Sequence, residues 1–232
     1  MTKEQILEGL VICIDKPLNW TSFQVVNKVR YDLRKTFNIK KLKVGHAGTL
    51  DPLATGLLIL CTGKKTKEIS SIQGQIKTYT GTITLGATTP SYDLETEIDQ
   101  RFDTSAISND TINNAVSRFI GDIYQKPPIF SAIKKDGKRL YEHARAGEEV
   151  DISSRLVSVS QFDITNIDMP NIQFEIVCSK GTYIRSLAFD FGRALNNGGH
   201  LSSLRRTKIG NFDIRNAWQL DALLKSITNE PM

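Results

Sequence analysis

A chain of 232 residues with 40% hydrophobic and 24% charged side chains can bury a sizeable core, and no Pro, Gly or Ser tract is long enough for a disordered linker. The net charge of +5 is too small to name a partner by itself. Three cysteines without a C-x-x-C pair exclude a disulfide framework and point to reduced thiols in a cytoplasmic protein.

The N-terminal segment carries an apolar stretch of only five residues, Leu10 to Ile14, too short for a signal peptide or a membrane span. That stretch predicts a buried strand, followed by a Pro-containing turn. Thr21 and Gln24 have the spacing of a capping box, and Val26, Val29, Leu33 and Phe37 then repeat at helical spacing. Between Lys28 and Lys43 lie seven basic residues and one acid, Asp32, mostly on the opposite, solvent-facing side of this helix. Further basic groups lie between Lys126 and Arg145 and at Arg205, Arg206 and Lys208. Such runs are either solvated faces or a surface for a polyanion.

Two apolar segments flank a loop rich in Gly, Thr, Asp and Pro, GHAGTLDPLATG, and the second, Leu57 to Cys61, predicts a buried strand. From Ile76 to Leu85 the pattern alternates, with Tyr79, Ile83 and Leu85 on one face and Thr78, Thr80, Thr82 and Thr84 on the other. After an acidic loop, Thr111 to Ile120 predicts a short helix ended by Gly121. Asp136-Gly137 predicts a hairpin turn. Ile172 to Cys178 predicts a strand, Tyr183 to Leu195 a helix, Lys208 to Ile214 a last strand and Asn216 to Ile227 a last helix. Strands outnumber helices without regular alternation, which argues for an α+β fold with a mixed sheet.

Several chemistries lack their residues. His46, His143 and His200 stand apart from other ligands at metal spacing, so no metal site is expected. Gly63-Lys64-Lys65-Thr66 fails the phosphate-loop pattern, and neither G-x-S-x-G nor G-x-G-x-x-G occurs. A reaction without cofactor is the expectation if the chain is an enzyme. In the loop from Gly45 to Gly56, three glycines permit tight turns, and Pro52 restrains Asp51 to an extended conformation. Asp51 is then either a rigidly held reactive carboxylate or the acceptor of an Asx turn. From the residues alone, Tyr79 reads as a core aromatic, Arg185 as a surface residue and His46 as a loop or core histidine.

The loop GHAGTLDPLATG closely resembles the catalytic motif of the TruB family of pseudouridine synthases. Gly9 to Pro17 (GLVICIDKP) resembles the family's opening strand and turn, and Lys77-Thr78-Tyr79 its K-x-Y motif. Gln125 to Gly147, Cys178 to Arg185 (CSKGTYIR) and Leu204 to Gly210 (LRRTKIG) resemble its later motifs, in the family's order. The resemblance spans nearly the whole chain.

It implies a pseudouridine synthase catalytic domain with a mixed, mainly antiparallel sheet flanked by helices, over residues 1–232, with a peripheral segment at about 125–150. The implied activity is isomerisation of uridine 55 in the T-loop of tRNA, by base flipping and without cofactor or metal. The implied partner is the T-stem-loop of tRNA, bound by a cytoplasmic monomer with no membrane association and no protein partner. By resemblance, Asp51 is the catalytic carboxylate, Tyr79 stacks on the target base and acts as base, and Arg185 pairs with Asp51. His46 fills the gap left in the T-loop, Tyr183 lies beside the site, and Gly48, Thr49, Leu204, Arg205 and Arg206 belong to the substrate side. Two departures stand out. Only 22 residues follow Gly210, so the small C-terminal RNA-binding (PUA) domain of many members is expected to be absent. The family's T-x-S/G-D-x-x-G stretch reads Thr89 to Thr96 here, keeping Asp93 and losing the last Gly. The alternative on the same scaffold is a non-catalytic RNA-binding protein that refolds tRNA, and Asp51 is the residue that separates the two. A hydrolase fits poorly, because no second acid or metal ligand is evident near Asp51.

Overall fold

The computed structural model describes residues 1–228, and the chain forms two compact units: residues 1–79 with the segment from Leu204, and residues 80–203. In the first, Thr2 and Gln5 close a capping box on α1 (Lys3–Glu8), which leads into β1 (Val11–Lys16). Thr21 and Gln24 close a second on α2 (Ser22–Thr36), as their spacing predicts. β2 (Val44–His46), β3 (Ala54–Thr62), α3 (Ile69–Gly74) and the start of β4 (Lys77–Leu85) follow.

The second unit takes the rest of β4, then β5 (Ala87–Thr88), β6 (Gln100–Arg101), α4 (Asn109–Val116), β7 (Gly121–Gln125), β8 (Lys134–Lys135) and β9 (Lys138–Arg139). It continues with α5 (Leu140–Arg145), β10 (Arg155–Asp168), β11 (Asn171–Cys178), α6 (Ile184–Ala194) and the first half of β12 (Gly199–Ile209). β13 (Phe212–Asp213), β14 (Trp218–Gln219) and α7 (Leu220–Thr228) complete the first unit.

Within the first unit the strand order is β14-β1-β3-β12-β4, with β2 added to β3 and β13 to β12. β1 is antiparallel to β3, whereas β14 on β1 and β12 on β3 are parallel. Every β3 residue from Leu57 to Cys61 is inaccessible to solvent, because the strand is covered on both faces. Leu58 and Leu60 pack with Ile12, Ile14, Val26, Val29 and Leu33 under α2 and α7. Leu57, Ile59 and Cys61 pack with Ala47, Ile72 and Ile209 on the other side. An uninterrupted apolar run is the sequence signature of such a strand.

In the second unit the order β4-β11-β10-β7 holds an aromatic core in which Phe162 contacts Phe119, Phe174 and Phe191 at centroid separations of 5.4 to 6.3 Å. The Asp136-Gly137 turn closes the β8-β9 hairpin with both residues at positive φ (52° and 83°), the twist a two-residue hairpin requires. The fold is α+β with a mixed, mainly antiparallel sheet. No helix among the described residues is long and apolar enough to cross a membrane.

The helix expected at Thr111 to Ile120 is α4, Asn109–Val116, and two further boundaries differ from expectation. The strand read as Lys208 to Ile214 is the end of β12 and the short β13, separated where Gly210 turns at φ 51°. The last helix starts at Leu220 rather than Asn216, since Trp218 and Gln219 pair with Ile14 and Asp15.

One hydroxyl ties α1 to the sheet. Thr62 Oγ1, fully buried, accepts from the Leu10 N–H at 2.9 Å and donates to the Ile6 carbonyl at 2.8 Å. Thr62→Val keeps the shape but strands both partners, so the chain should lose about 1 to 3 kcal/mol of stability in urea denaturation. A loss below about 0.5 kcal/mol, the range of ordinary surface changes, would mean that water replaces the hydroxyl.

Candidate active site

Asp51 sits in the loop between β2 and β3, half-buried, with the backbone on either side of it gripped by other parts of the first unit. On one side, Leu50 donates its N–H to Ser22 Oγ (2.9 Å) and its carbonyl accepts from the same hydroxyl (3.1 Å). On the other, the Pro52 carbonyl accepts from the Asn19 N–H at 2.9 Å and from Lys16 Nζ at 3.4 Å. Asp51's own carbonyl accepts from the Ala54 N–H, closing a turn into β3.

Beneath this loop lies Arg206, fully buried on β12. Its Nε donates to the Leu57 carbonyl (2.8 Å), Nη2 to Gly48 (3.0 Å) and Nη1 to Thr49 (3.4 Å). The backbone of Arg206 pairs with Gly56, and a Cβ at Gly56 would stand 2.3 Å from the Arg206 carbonyl oxygen, so only glycine fits there. Arg206, assigned to substrate by resemblance, is spent inside the protein on three main-chain acceptors. The inward direction of its side chain is invisible in a basic cluster.

Lys16 is another buried cation. Its Nζ donates to the carbonyls of Trp20 (2.6 Å) and Pro17 (2.9 Å) as well as Pro52. Burial pushes its pKa down to about 8, with Asp51 acting to hold the proton on and Arg206 to drive it off. An anion with a lysine cation nearby is favoured in its ionised form, which is the form able to attack or stabilise an electron-poor carbon.

His46 ends β2 opposite Leu60, and burial followed by the charge of Arg206 lowers its pKa, so the imidazole is neutral at neutral pH. Its Nδ1 is buried without a hydrogen-bond partner. Tyr79 is buried on the face of β4 shared with Ile83 and Leu85, as the alternation predicts. Leu204 pairs with Ala54, and Arg205 forms a two-pronged pair with Asp15 (2.6 and 3.1 Å), which also accepts from Gln219.

In the second unit, Tyr183 precedes α6 and exchanges two hydrogen bonds with the Gln125 side chain. Arg185 is buried rather than exposed, donating to the carbonyls of Ser91 (3.2 Å) and Phe130 (2.9 Å), with Nε 3.6 Å from Asp93. The altered stretch is held together by side-chain chemistry. Thr96, standing where the family pattern has Gly, binds Ser91 through its hydroxyl, and Tyr92 takes φ 63°.

Sequence reasoning did not single out Lys16 or Ser22. The available signals were a Lys-Pro pair ending a buried strand and a Ser directly after the capping Thr21.

The model of the TruB family pseudouridylate synthase N-terminal domain matches residues 34–184, and that of the tRNA pseudouridylate synthase B C-terminal domain matches residues 185–230. The tRNA pseudouridine synthase B of Flavobacterium johnsoniae is 62% identical over 228 residues, covering 98% of this chain and all of that protein. That of Chloroherpeton thalassium is 53% identical over 221 residues, covering 95% of this chain and 91% of its own. A crystal structure of a Cbf5-Nop10-Gar1 complex is similar over 96% of this chain with TM-score 0.73 and 29% identity. The chain spans 55% of that longer one.

The electrostatics of the Asp51 loop are open to direct test. In an NMR titration of ε-labelled lysines, Lys16 should show its midpoint near pH 8, well below the usual value of about 10.4. Asp51→Asn removes the charge that favours the protonated lysine and should move the midpoint lower still. A midpoint near the usual value, or a rise in the variant, would contradict this arrangement.

Proposed function

The chain belongs to the TruB family of pseudouridylate synthases, enzymes that isomerise uridine in RNA, and we propose that it converts uridine 55 in the T-loop of tRNA to pseudouridine with Asp51 as the catalytic carboxylate. The observation that carries the assignment of Asp51 is its setting: a half-buried carboxylate in a loop pinned on both sides, with the Lys16 cation close enough to favour its charged form.

The reaction breaks the N1–C1′ bond, turns the uracil and joins C5 to C1′. The proton leaving C5 is balanced by the one gained at N1, so no redox equivalent or group donor is consumed. A carboxylate at the sugar supports the electron-poor C1′ or attacks it, as carboxylates do in glycoside chemistry. Everting the base costs on the order of a few kcal/mol, and stacking on Tyr79 returns about 1 to 3 kcal/mol of it. Tyr79 is also the proposed base for the C5 proton. Arg185 is the proposed counter-ion of Asp51, with Tyr183 beside the reacting nucleotide. His46, neutral at working pH, suits an uncharged filler for the space left in the T-loop. The enzyme is proposed to act as a cytoplasmic monomer.

Mapping pseudouridine along an unmodified tRNA transcript should place the product at position 55 and nowhere else in the T-loop. Asp51→Asn keeps size and hydrogen bonding but lacks the charge, so tritium release from C5-labelled uridine should vanish while tRNA affinity stays within a few-fold. Full release from the variant would end the case for Asp51. Loss of turnover with binding kept would leave any RNA-refolding activity of the scaffold measurable on its own.

Affinity should come from phosphate contacts made by exposed cations. With Arg206 buried, the lysines Lys35, Lys40, Lys41 and Lys43 are better candidates. Reversing Lys40 and Lys41 to Glu should weaken tRNA binding at least about tenfold in low salt and flatten its salt dependence. Parent affinity and slope in that variant would place the RNA elsewhere.

A further inference from the structure

We propose that Ser22 is a positioning residue for the isomerisation, its hydroxyl latching the Leu50 peptide so that Asp51 is aimed at the sugar; the inference rests on the reading of Asp51 as the catalytic carboxylate. Ser22 is the first residue of α2, where a hydroxyl would ordinarily serve its own helix. Here Thr21 already performs that task, its side chain accepting from the Gln24 N–H. The Ser22 hydroxyl instead turns to a residue 28 positions away, and it both accepts from and donates to the same residue, Leu50. Two bonds from one atom fix the rotation of the main chain at Leu50 as well as its place, and the next Cα is that of Asp51.

The latch is shielded from water, since Ser22 is 2% exposed and Leu50 4% exposed. It is also rooted in a stiff element: α2 runs for 15 residues, and its Val25, Val26, Val29 and Leu33 are locked into the core. On the other side of Asp51, Asn19 and Lys16 hold Pro52, and Arg206 holds Gly48 and Thr49 further back. Ser22 is the grip immediately before the carboxylate. Its hydroxyl is committed to the Leu50 main chain both as donor and as acceptor, so its contribution is to geometry and not to proton transfer.

Removing such a grip lets Asp51 wander, and a misplacement of about 1 Å at a reacting centre costs on the order of a hundredfold in rate. In single-turnover assays with saturating tRNA, well below the melting temperature, Ser22→Ala should release tritium from C5-labelled uridine about 10- to 100-fold more slowly. The tRNA Kd should stay within about threefold of the parent, because phosphate contacts are untouched. Ser22→Thr, which retains the hydroxyl, should recover most of the rate, a rescue that mere packing would not produce. A parent-like rate in folded Ser22→Ala, or a rate loss matched by the loss of binding, would overturn the proposal. If Ser22→Ala does not fold, Ser22→Cys, similar in size with a weaker hydrogen-bonding group, is judged by the same two criteria. Asp51→Asn measured alongside keeps the questions apart. Full turnover there removes Asp51 from the chemistry, whereas a dead Asp51→Asn with an unimpaired Ser22→Ala removes only the latch.

Discussion

The guanidinium of Arg206 is the constraint on which the first unit is built. A buried cation is costly unless its donors are satisfied, and Arg206 meets that condition with the carbonyls of Gly48, Thr49 and Leu57. Those acceptors lie on both arms of the loop that carries Asp51. The requirement that one planar group be satisfied therefore becomes a requirement that the two arms stand in a set relation. The parallel pairing of β12 with β3 brings the arginine there, and Gly56 makes the close approach possible.

Around this brace the charges are arranged to different ends. Lys16 and Arg206 are both inaccessible, yet Lys16 titrates near pH 8 while a guanidinium stays charged at any working pH. Arg206 thus supplies a fixed field. Lys16 answers to its surroundings, above all to burial and to Asp51. His46 is lowered first by burial and then by the same field, which favours its neutral form. The loop anion accordingly stands among one permanent cation, from β12, and one cation near its own titration point, from the end of β1.

Much of this was legible in the sequence, and the failures have physical causes. The capping box at Thr21, the buried run of β3 and the alternation of β4 are local patterns, and each fixes an element without help from the rest of the chain. β10 went unrecognised although it is 14 residues long. Irregularities between Val159 and Gln161 and between Ile164 and Asn166 shift its register, so period-two alternation is broken twice. β12 was hidden by its composition, because His200, Ser202, Ser203, Arg205 and Arg206 do not resemble a strand interior. For the candidate site, the motif singled out Asp51 and its loop. It could not tell that adjacent arginines part company, Arg205 turning to Asp15 at a half-exposed edge and Arg206 into the core. Nor could it find Ser22, whose partner is set by the packing of α2 and not by any spacing.

The brace also dictates an order of assembly during synthesis. Arg206 lies 149 residues after Leu57, whose carbonyl it satisfies, so the whole second unit must be translated before the arginine leaves the ribosome. Until then the carbonyls of Gly48, Thr49 and Leu57 wait for a donor, and β3 lacks its parallel neighbour. A nascent chain therefore carries the complete Asp51 motif long before the motif can hold its shape, which it does only once Arg206 has emerged to meet it.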